Sequence, residues 1–269
     1  MPYTVFMTGQ TMTLLVVGAT GSIGRLVVDE AVRKGYRVRA LARDPKKARR
    51  LLPGVEVLGG DLALPETLPA AVEGVGTIIF THGSDGGSKA EAERVDYGGV
   101  RNVLAALGGR SVRISLMTSI GVTNRTGDFN RRTEIHDWKR RGERLLRASG
   151  LPYTIVRPGW FDYNQPDERH LVFLQGDRRH AGDPTDGVIA RGQIAEVLVA
   201  SLGSDAALRK TFEMVATHGE AQQGLDAEFD RLDADAEGAL DAVRDLPNMP
   251  ATEEPERVRR DLETVSQRP

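Results

Sequence analysis

Leu14-Leu15-Val16-Val17-Gly18-Ala19-Thr20-Gly21-Ser22-Ile23-Gly24-Arg25 decides the fold of this 269-residue chain. The apolar run has strand composition and ends at Gly18. Glycine then recurs at every third position, Gly18, Gly21 and Gly24, and Ile23, Leu26, Val27, Ala31 and Val32 share one helical face. Strand, glycine turn and helix in this order form the context that makes a glycine motif a phosphate site. The first glycine permits the turn, the middle one lets the backbone approach a pyrophosphate, and the last brings helix and strand together. Backbone N–H groups and the dipole of the helix start then hold the anion. Gly18, Thr20, Gly21, Ser22, Ile23 and Gly24 are the expected dinucleotide-binding residues of this turn; a tight βα turn with no ligand is the bland alternative.

Working outward, Arg37–Ala42 reads as the second strand and ends in Arg43-Asp44-Pro45. An acid at this tip would accept from a ribose 2′-hydroxyl, whereas a guanidinium suits a 2′-phosphate. Arg43, with Lys46 and Lys47 beyond it, therefore predicts NADP(H) over NAD(H). The competing reading makes Arg43 a solvated helix flank, with Asp44 as the cap. Val55–Leu58 is a short strand running into Gly60-Asp61-Leu62, where Asp61 either accepts from an adenine amine or caps the next helix. Thr77–Thr81 is the fourth strand, and Gly83 beyond it lets backbone pass close to a ligand. His82 ranks low, because a lone histidine is more often a packing residue. Asp85–Ser88 reads as a loop.

Ala90–Leu107 carries a helical pattern, and Val112–Thr118 is the fifth strand, with Ser119 at its end. Residues 121–132 read as a loop over the sheet's mouth. Thr133 is expected to cap a helix that contains Trp138, Lys139, Leu145 and Leu146. Tyr153–Arg157 is a sixth strand stopped by Pro158-Gly159, and Trp160 and Phe161 fall at the same edge. The insert at about 160–190 is expected to wall a substrate lobe, with a short strand at Leu171–Leu174. Arg191–Leu202 is an amphipathic helix and Thr211–Val215 closes the sheet. Alternating strands and helices imply an α/β fold with a doubly wound parallel sheet of about seven strands, a Rossmann fold. Gly18 to Gly24, Arg43, Asp61, Thr81, Ser119 and Pro158 then share the crevice at the strands' carboxyl ends.

Composition narrows the chemistry. The chain has no cysteine, so disulfides and thiolate chemistry are excluded. No apolar run approaches a membrane span, no basic stripe with interleaved aromatics suggests nucleic acid, and no metal is expected; the expected location is cytoplasmic. Residues 1–11 resemble a leader or tag, residues 12–218 form the Rossmann domain with its lobe, and residues 219–269 form an acidic helical arm and tail. From Gly219 onward there are 14 acidic and 6 basic residues, against 24 and 30 before it. A basic body suits a phosphorylated ligand. Leu225, Phe229, Leu232, Leu240 and Val243 recur at helical spacings, so the arm is expected to dock one stripe on the domain or on a partner subunit. The proline breaks after Pro247 predict a mobile or partner-bound tail.

GATGSIGR, LARDP, Gly60-Asp61-Leu62, VDYGGVRNVLAAL and WKRRGERLLRASGLPYTIVRPGWF together resemble the atypical short-chain dehydrogenase/reductases, compact NAD(P)-binding proteins similar to NmrA-like regulators, flavin reductases and small epimerase-like proteins. The resemblance covers about residues 12–218. It implies a seven-stranded Rossmann fold, with Gly18, Gly21 and Gly24 on the pyrophosphate, Arg43 on the 2′-phosphate, Asp61 and Leu62 at adenine, and Pro158 beside the nicotinamide. It also implies catalytic roles for Ser119 and Lys139. The classical tyrosine four residues before the lysine is absent, because Ile135 stands there.

Hydride transfer to a carbonyl needs a donor to the developing alkoxide and a firmly held ribose. Ser119 is the candidate for the first and Lys139 for the second; a turn cap and a solvated helix charge are the bland alternatives. The sequence thus predicts an NADPH-dependent oxidoreductase acting on a small molecule. Two alternatives stand beside it. One is a non-catalytic NADP(H)-binding sensor or assembly protein that works as a homo-oligomer or with a partner bound through residues 220–246. The other is a sugar epimerase or dehydratase, which the missing tyrosine disfavours.

Overall fold

The computed structural model describes residues 12–84 and 86–267. The expected leader, residues 1–11, lies outside them. From the amino end the elements are β1 (Thr13–Val17), α1 (Ser22–Arg33), β2 (Arg37–Ala42), α2 (Pro45–Leu51), β3 (Glu56–Gly59), α3 (Pro69–Val72) and β4 (Thr77–Phe80). Next come α4 (Lys89–Glu91), a π-helical segment at Ala92–Tyr97, α5 (Gly98–Leu107), β5 (Arg113–Met117), α6 (Asp128–Thr133), α7 (Ile135–Ala148) and β6 (Tyr153–Pro158). The chain finishes with β7 (Trp160–Phe161), β8 (His170–Leu174), β9 (Val188–Ile189), α8 (Arg191–Gly203), β10 (Lys210–Thr217), α9 (Asp226–Asp230) and α10 (Glu256–Ser266).

The strand order is β3-β2-β1-β4-β5-β6-β10-β9-β7, with β8 also on β10. From β3 to β10 every pair is parallel, which makes the seven strands expected. Three short strands of the lobe raise the total to ten; β8 and β9 run antiparallel to β10. Two of them, β7 and β9, have only two residues each, too few to leave a periodic signal. Strand order reverses between β1 and β4, and such a reversal opens a crevice at the strands' carboxyl ends.

Side chains along β1 alternate between two cores. Leu14 and Val16 join α1 and α8 residues such as Val27 and Leu198, while Leu15 and Val17 join α5 and α7 residues such as Leu104 and Leu145. Both sheet faces are therefore covered, as a parallel sheet requires. Among the described residues no helix is long and apolar enough to cross a membrane.

Two local expectations need correction. Thr133 caps α7 only in part: it closes α6, donating its hydroxyl to the Phe129 carbonyl at 2.9 Å, and its Oγ accepts from the Ile135 N–H at 3.4 Å, but Glu134 takes the cap position in a left-handed conformation and Asn130 Oδ1 accepts from the His136 N–H at 3.0 Å. The segment after Glu220 is also mostly not helical. Leu225, Phe229 and Leu232 do pack in the first core, with Phe229 stacked 5.5 Å from Phe173. Helix between residues 220 and 250, however, is confined to α9. Beyond it the chain turns with positive φ at Gly238 and Arg244, because its acidic side chains reach arginines of α7 and β6. Arg147 meets Asp235 at 3.0 Å, Arg144 meets Asp241 at 2.6 Å, and Arg157 meets Asp245 at 2.8 Å. The opposite charges of body and arm thus neutralise each other within one chain. The tail forms α10, which buries Val258, Leu262 and Val265 in the second core.

Candidate functional site

A cleft of about 1070 Å³ lies over the carboxyl ends of β1, β2, β4, β5 and β6. Its floor begins at the glycine turn. Gly18 has φ +88°, and a Cβ there would stand 2.7 Å from the His82 nitrogen. Gly21 precedes α1 and no side chain caps the helix, so the N–H groups of its first turn open on the cleft beside Thr20, Ser22 and Ile23. Gly24, expected among the cofactor contacts, does not line the cleft. It packs α1 on the turn, where a Cβ would come within 2.0 Å of the Gly18 oxygen. Arg191, whose guanidinium is paired with Asp162, donates to Ser22 Oγ at 3.2 Å beside this end.

Arg43 stands exposed at the end of β2 and lines the cleft. Among the described residues no carboxylate lies within ion-pair distance of its guanidinium. Asp44 turns away to cap α2, accepting from the Lys47 N–H at 3.0 Å. Asp61 and Leu62 line the same end. Asp61 uses one oxygen to accept from the Ala63 N–H at 2.9 Å in a local turn and does not cap the next helical turn, whose cap position is Leu64; the Leu62 carbonyl accepts from Asn102 at 2.6 Å. Thr81 donates to the Val17 carbonyl at 3.1 Å and joins β4 to β1 behind the turn.

At the opposite end Thr81, Gly83, Ser119, Lys139 and Pro158 line one region, with Trp160 and Phe161 beyond them. Ser119 Oγ is buried and has no hydrogen-bond partner among the described residues. Lys139 Nζ stands 2.8 Å from Asp96 Oδ1. That oxygen has no aligned donor, so the contact is an ion pair and not a directed hydrogen bond. The other oxygen, Asp96 Oδ2, accepts from the Ser84 hydroxyl at 2.5 Å. Asp96 therefore ties α7 to the loop after β4. Sequence reading missed it; the signal was a buried acid inside an otherwise apolar helical face.

Ile135 is buried in the second core, so no phenol points at Ser119. His136, the next residue, lines the cleft with its ring 5.5 Å from Phe129. Burial lowers its pKa, with Asp177 opposing. Asp137 lies outside the cleft and accepts from Arg125 and Asn130. The loop after Ser119 is pinned from behind, because the Asp177 carboxylate accepts from the N–H groups of Gly121 and Thr123, both at 2.6 Å. Burial raises the Asp177 pKa, but His180, Arg157 and these N–H groups outweigh it and hold it at about 2.

Residues 18–205 match the family described as NAD(P)H-binding. Sanguinarine reductase of Eschscholzia californica is 28% identical over 269 aligned residues, covering 82% of this chain and 96% of that protein. The photosystem II assembly factor Ycf39 of Trieres chinensis is 32% identical over 151 residues, 56% of this chain and 46% of that protein. The chain thus spans about half the length of that relative. Among solved structures, a short-chain dehydrogenase/reductase superfamily protein of Agrobacterium tumefaciens with bound NAD superposes with a TM-score of 0.58 at 19% identity. It covers 77% of this chain and 78% of that one, a likeness of fold.

Proposed function

The chain belongs to the NAD(P)H-binding family, a Rossmann-type family, and from that premise we propose that it is an NADPH-dependent oxidoreductase acting on a small molecule. The carrying observation is the free Arg43 guanidinium on the cleft wall while the neighbouring Asp44 is spent on a helix cap. A cation without an acid at this tip favours a 2′-phosphate over a bare ribose.

The residues present fit the cofactor. The turn has no room for a Cβ at Gly18, against Thr81 and His82, or at Gly24, against Gly18, so strand and helix close tightly behind the pyrophosphate position. The uncapped start of α1 supplies N–H groups there, Asp61 and Leu62 would flank adenine, and Pro158 the nicotinamide. A bound nicotinamide supplies hydride to an acceptor carbon. Ser119 Oγ, which has no partner of its own, would donate to the oxygen on that carbon as negative charge develops. Lys139 would hold the nicotinamide ribose, positioned by Asp96. With isoleucine at position 135, the final proton comes from a group other than a tyrosine at that site.

Calorimetry with NADPH and NADH on the wild type and Arg43→Ala tests the reading. Tight NADPH binding that weakens about tenfold or more toward the NADH value in the variant is the expected result. Equal binding of both cofactors, unchanged in the variant, removes the 2′-phosphate assignment.

A second reading is favoured by Ile135, namely a protein that binds NADP(H) and responds to its occupancy without turnover. A partner reaching residues 220–246 would meet a surface whose Asp235 and Asp245 carboxylates face inward onto arginines. A broad panel of quinone, flavin and carbonyl acceptors separates the two readings: NADPH consumption with any of them supports the enzyme. Tight binding with no consumption supports the sensor.

A further inference from the structure

The insert between β6 and α8 carries Gly176-Asp177-Arg178-Arg179-His180, and Arg179 and His180 line the cleft. Backbone contacts place Arg179 at the end that holds Pro158. Its Nη1 donates to the Asp186 carbonyl at 3.0 Å, and the next carbonyl, Gly187, accepts from the Trp160 N–H at 2.9 Å. Gly187 has φ +123°, and a Cβ there would stand 3.0 Å from Arg179 Nη1. The guanidinium therefore lies one peptide away from the strand that follows Pro158.

This end of the cleft has more positive charge than its acids can answer. Arg179 is exposed, and its Nε and Nη2 have no acceptor among the described residues. Arg132 of α6 also lines the cleft, exposed and without a carboxylate partner among the described residues. The acids nearby are occupied. Asp186 is buried and accepts from the N–H groups of Ala181 and Gly182, both at 2.7 Å. Asp128 pairs with Arg131, and Glu91 accepts from the Ser88 N–H at 3.1 Å in a capping box. Asp177, 3.8 Å from His180, raises the histidine's pKa and so favours a further cation.

Insert and α6 form one rim. Asn124 donates to the His180 carbonyl at 3.4 Å and accepts from the Gly127 N–H at 3.0 Å. Two large rings stand open on it, Phe129 at 43% exposure and Trp160 at 36%. Open rings beside unpaired cations suit a ligand with a flat apolar body and an anion at its edge.

We propose that the substrate of this cleft is a planar aromatic carboxylate whose carboxylate is bound by the Nε–Nη2 edge of Arg179. The inference rests on the oxidoreductase reading above and adds the substrate class to it. Two oxygens of one carboxylate match that edge in spacing and charge. Arg132 contributes attraction from the other side of the rim. Arg179 is thus a specificity-determining residue, separate from Ser119, which addresses the reacting oxygen.

The wild type, Arg179→Gln and Arg179→Lys are saturated with NADP+ and titrated calorimetrically with 2-naphthoate, 2-naphthylmethanol and 2-naphthyl phosphate. The wild type should bind the naphthoate about tenfold more tightly than the alcohol. Arg179→Gln should erase that margin and leave the alcohol unchanged. Arg179→Lys should recover part of it, because the charge remains and the fork is lost. Equal binding of naphthoate and alcohol, no binding of either, or a margin that survives Arg179→Gln overturns the proposal. A naphthyl phosphate bound at least about tenfold more tightly than the naphthoate assigns the site to a phosphate and overturns the carboxylate class. Weaker NADP+ binding in Arg179→Gln, with the naphthoate margin intact, gives the guanidinium to the cofactor and overturns it too. If NADP+ does not bind the wild type, the cofactor reading fails, and the same three ligands on the free protein judge the anion site alone.

Discussion

Lys139 Nζ and Asp96 Oδ1 stand 2.8 Å apart in the cleft wall, the lysine side chain 12% exposed and the aspartate 1%. Neither charge is well solvated, so each depends on the other. Removing one partner of a buried pair leaves an uncompensated charge and costs about 3–5 kcal/mol. Asp96→Ala is expected to lose stability near the lower end of that range, because Lys139 retains some solvent. Asp96→Asn should lose less, since an amide oxygen still accepts from Ser84. Urea denaturation checks the order, and NADPH titration of Asp96→Asn should show weaker binding with the fold intact. Equal stability of all three proteins would mean that the pair is not the anchor of Lys139.

Arg157 faces three carboxylates. Glu143 meets it at 2.7 Å, Asp245 at 2.8 Å and Glu213 at 3.2 Å. One guanidinium cannot neutralise three anions, and Glu213 has the longest contact. Burial pushes its carboxyl up to about 7, with Arg157 opposing. The folded chain therefore keeps a proton on Glu213 that the unfolded chain releases near its ordinary value of 4.5. This contribution is fully present below about pH 4.5 and is lost as pH rises through about 7. Relative to the wild type, Glu213→Gln should gain stability between pH 5 and pH 8, by about 3 kcal/mol at most. Paired denaturation curves at the two pH values read it directly. Asp177 runs the other way: its contribution holds above the ordinary carboxylate range and is lost as pH falls through about 2.

Glu254 holds the carboxyl-terminal strap. Its side chain is 1% exposed, between Arg141 at 2.7 Å and Arg144 at 2.6 Å. Glu254→Ala leaves two buried guanidiniums short of an acceptor and should cost about 3–5 kcal/mol. Tm and urea midpoints measure the loss. Adding Arg141→Leu should recover part of it, because the partner charge is then also gone. A double variant no more stable than Glu254→Ala would show that the two residues do not act as a pair.

The glycine turn was legible because its requirement is local: strand, positive φ and helix lie within a dozen residues. The placement of Arg43 at the end of β2 was legible for the same reason. The strap was not. Its acids and the arginines of α7 are about a hundred residues apart, so the sequence shows a charge imbalance without showing that the two excesses meet. Helical spacing from Leu225 to Val243 misled beyond α9, because Asp235, Asp241 and Asp245 gain more from buried arginines than from one more helical turn. Asp96 escaped because its role depends on a partner from another element, Lys139 on α7.

Ser119 separates stability from function. Its hydroxyl is buried in the cleft wall without a partner among the described residues, and an unsatisfied buried hydroxyl costs about 1–3 kcal/mol. Replacing it with a methyl side chain removes that cost and leaves a small void. Ser119→Ala should therefore be as stable as the wild type or more so, by up to about 1 kcal/mol. If Ser119 donates to the substrate oxygen, the same change should slow NADPH turnover by about a hundredfold, as loss of one oxyanion donor does elsewhere. NADPH affinity should stay within about threefold, because the hydroxyl addresses substrate and not cofactor. Thermal denaturation, calorimetry and single-turnover kinetics on one pair of proteins test the three parts together. A variant that is clearly less stable, with turnover unchanged, would make Ser119 a structural turn residue and leave the substrate oxygen to another donor.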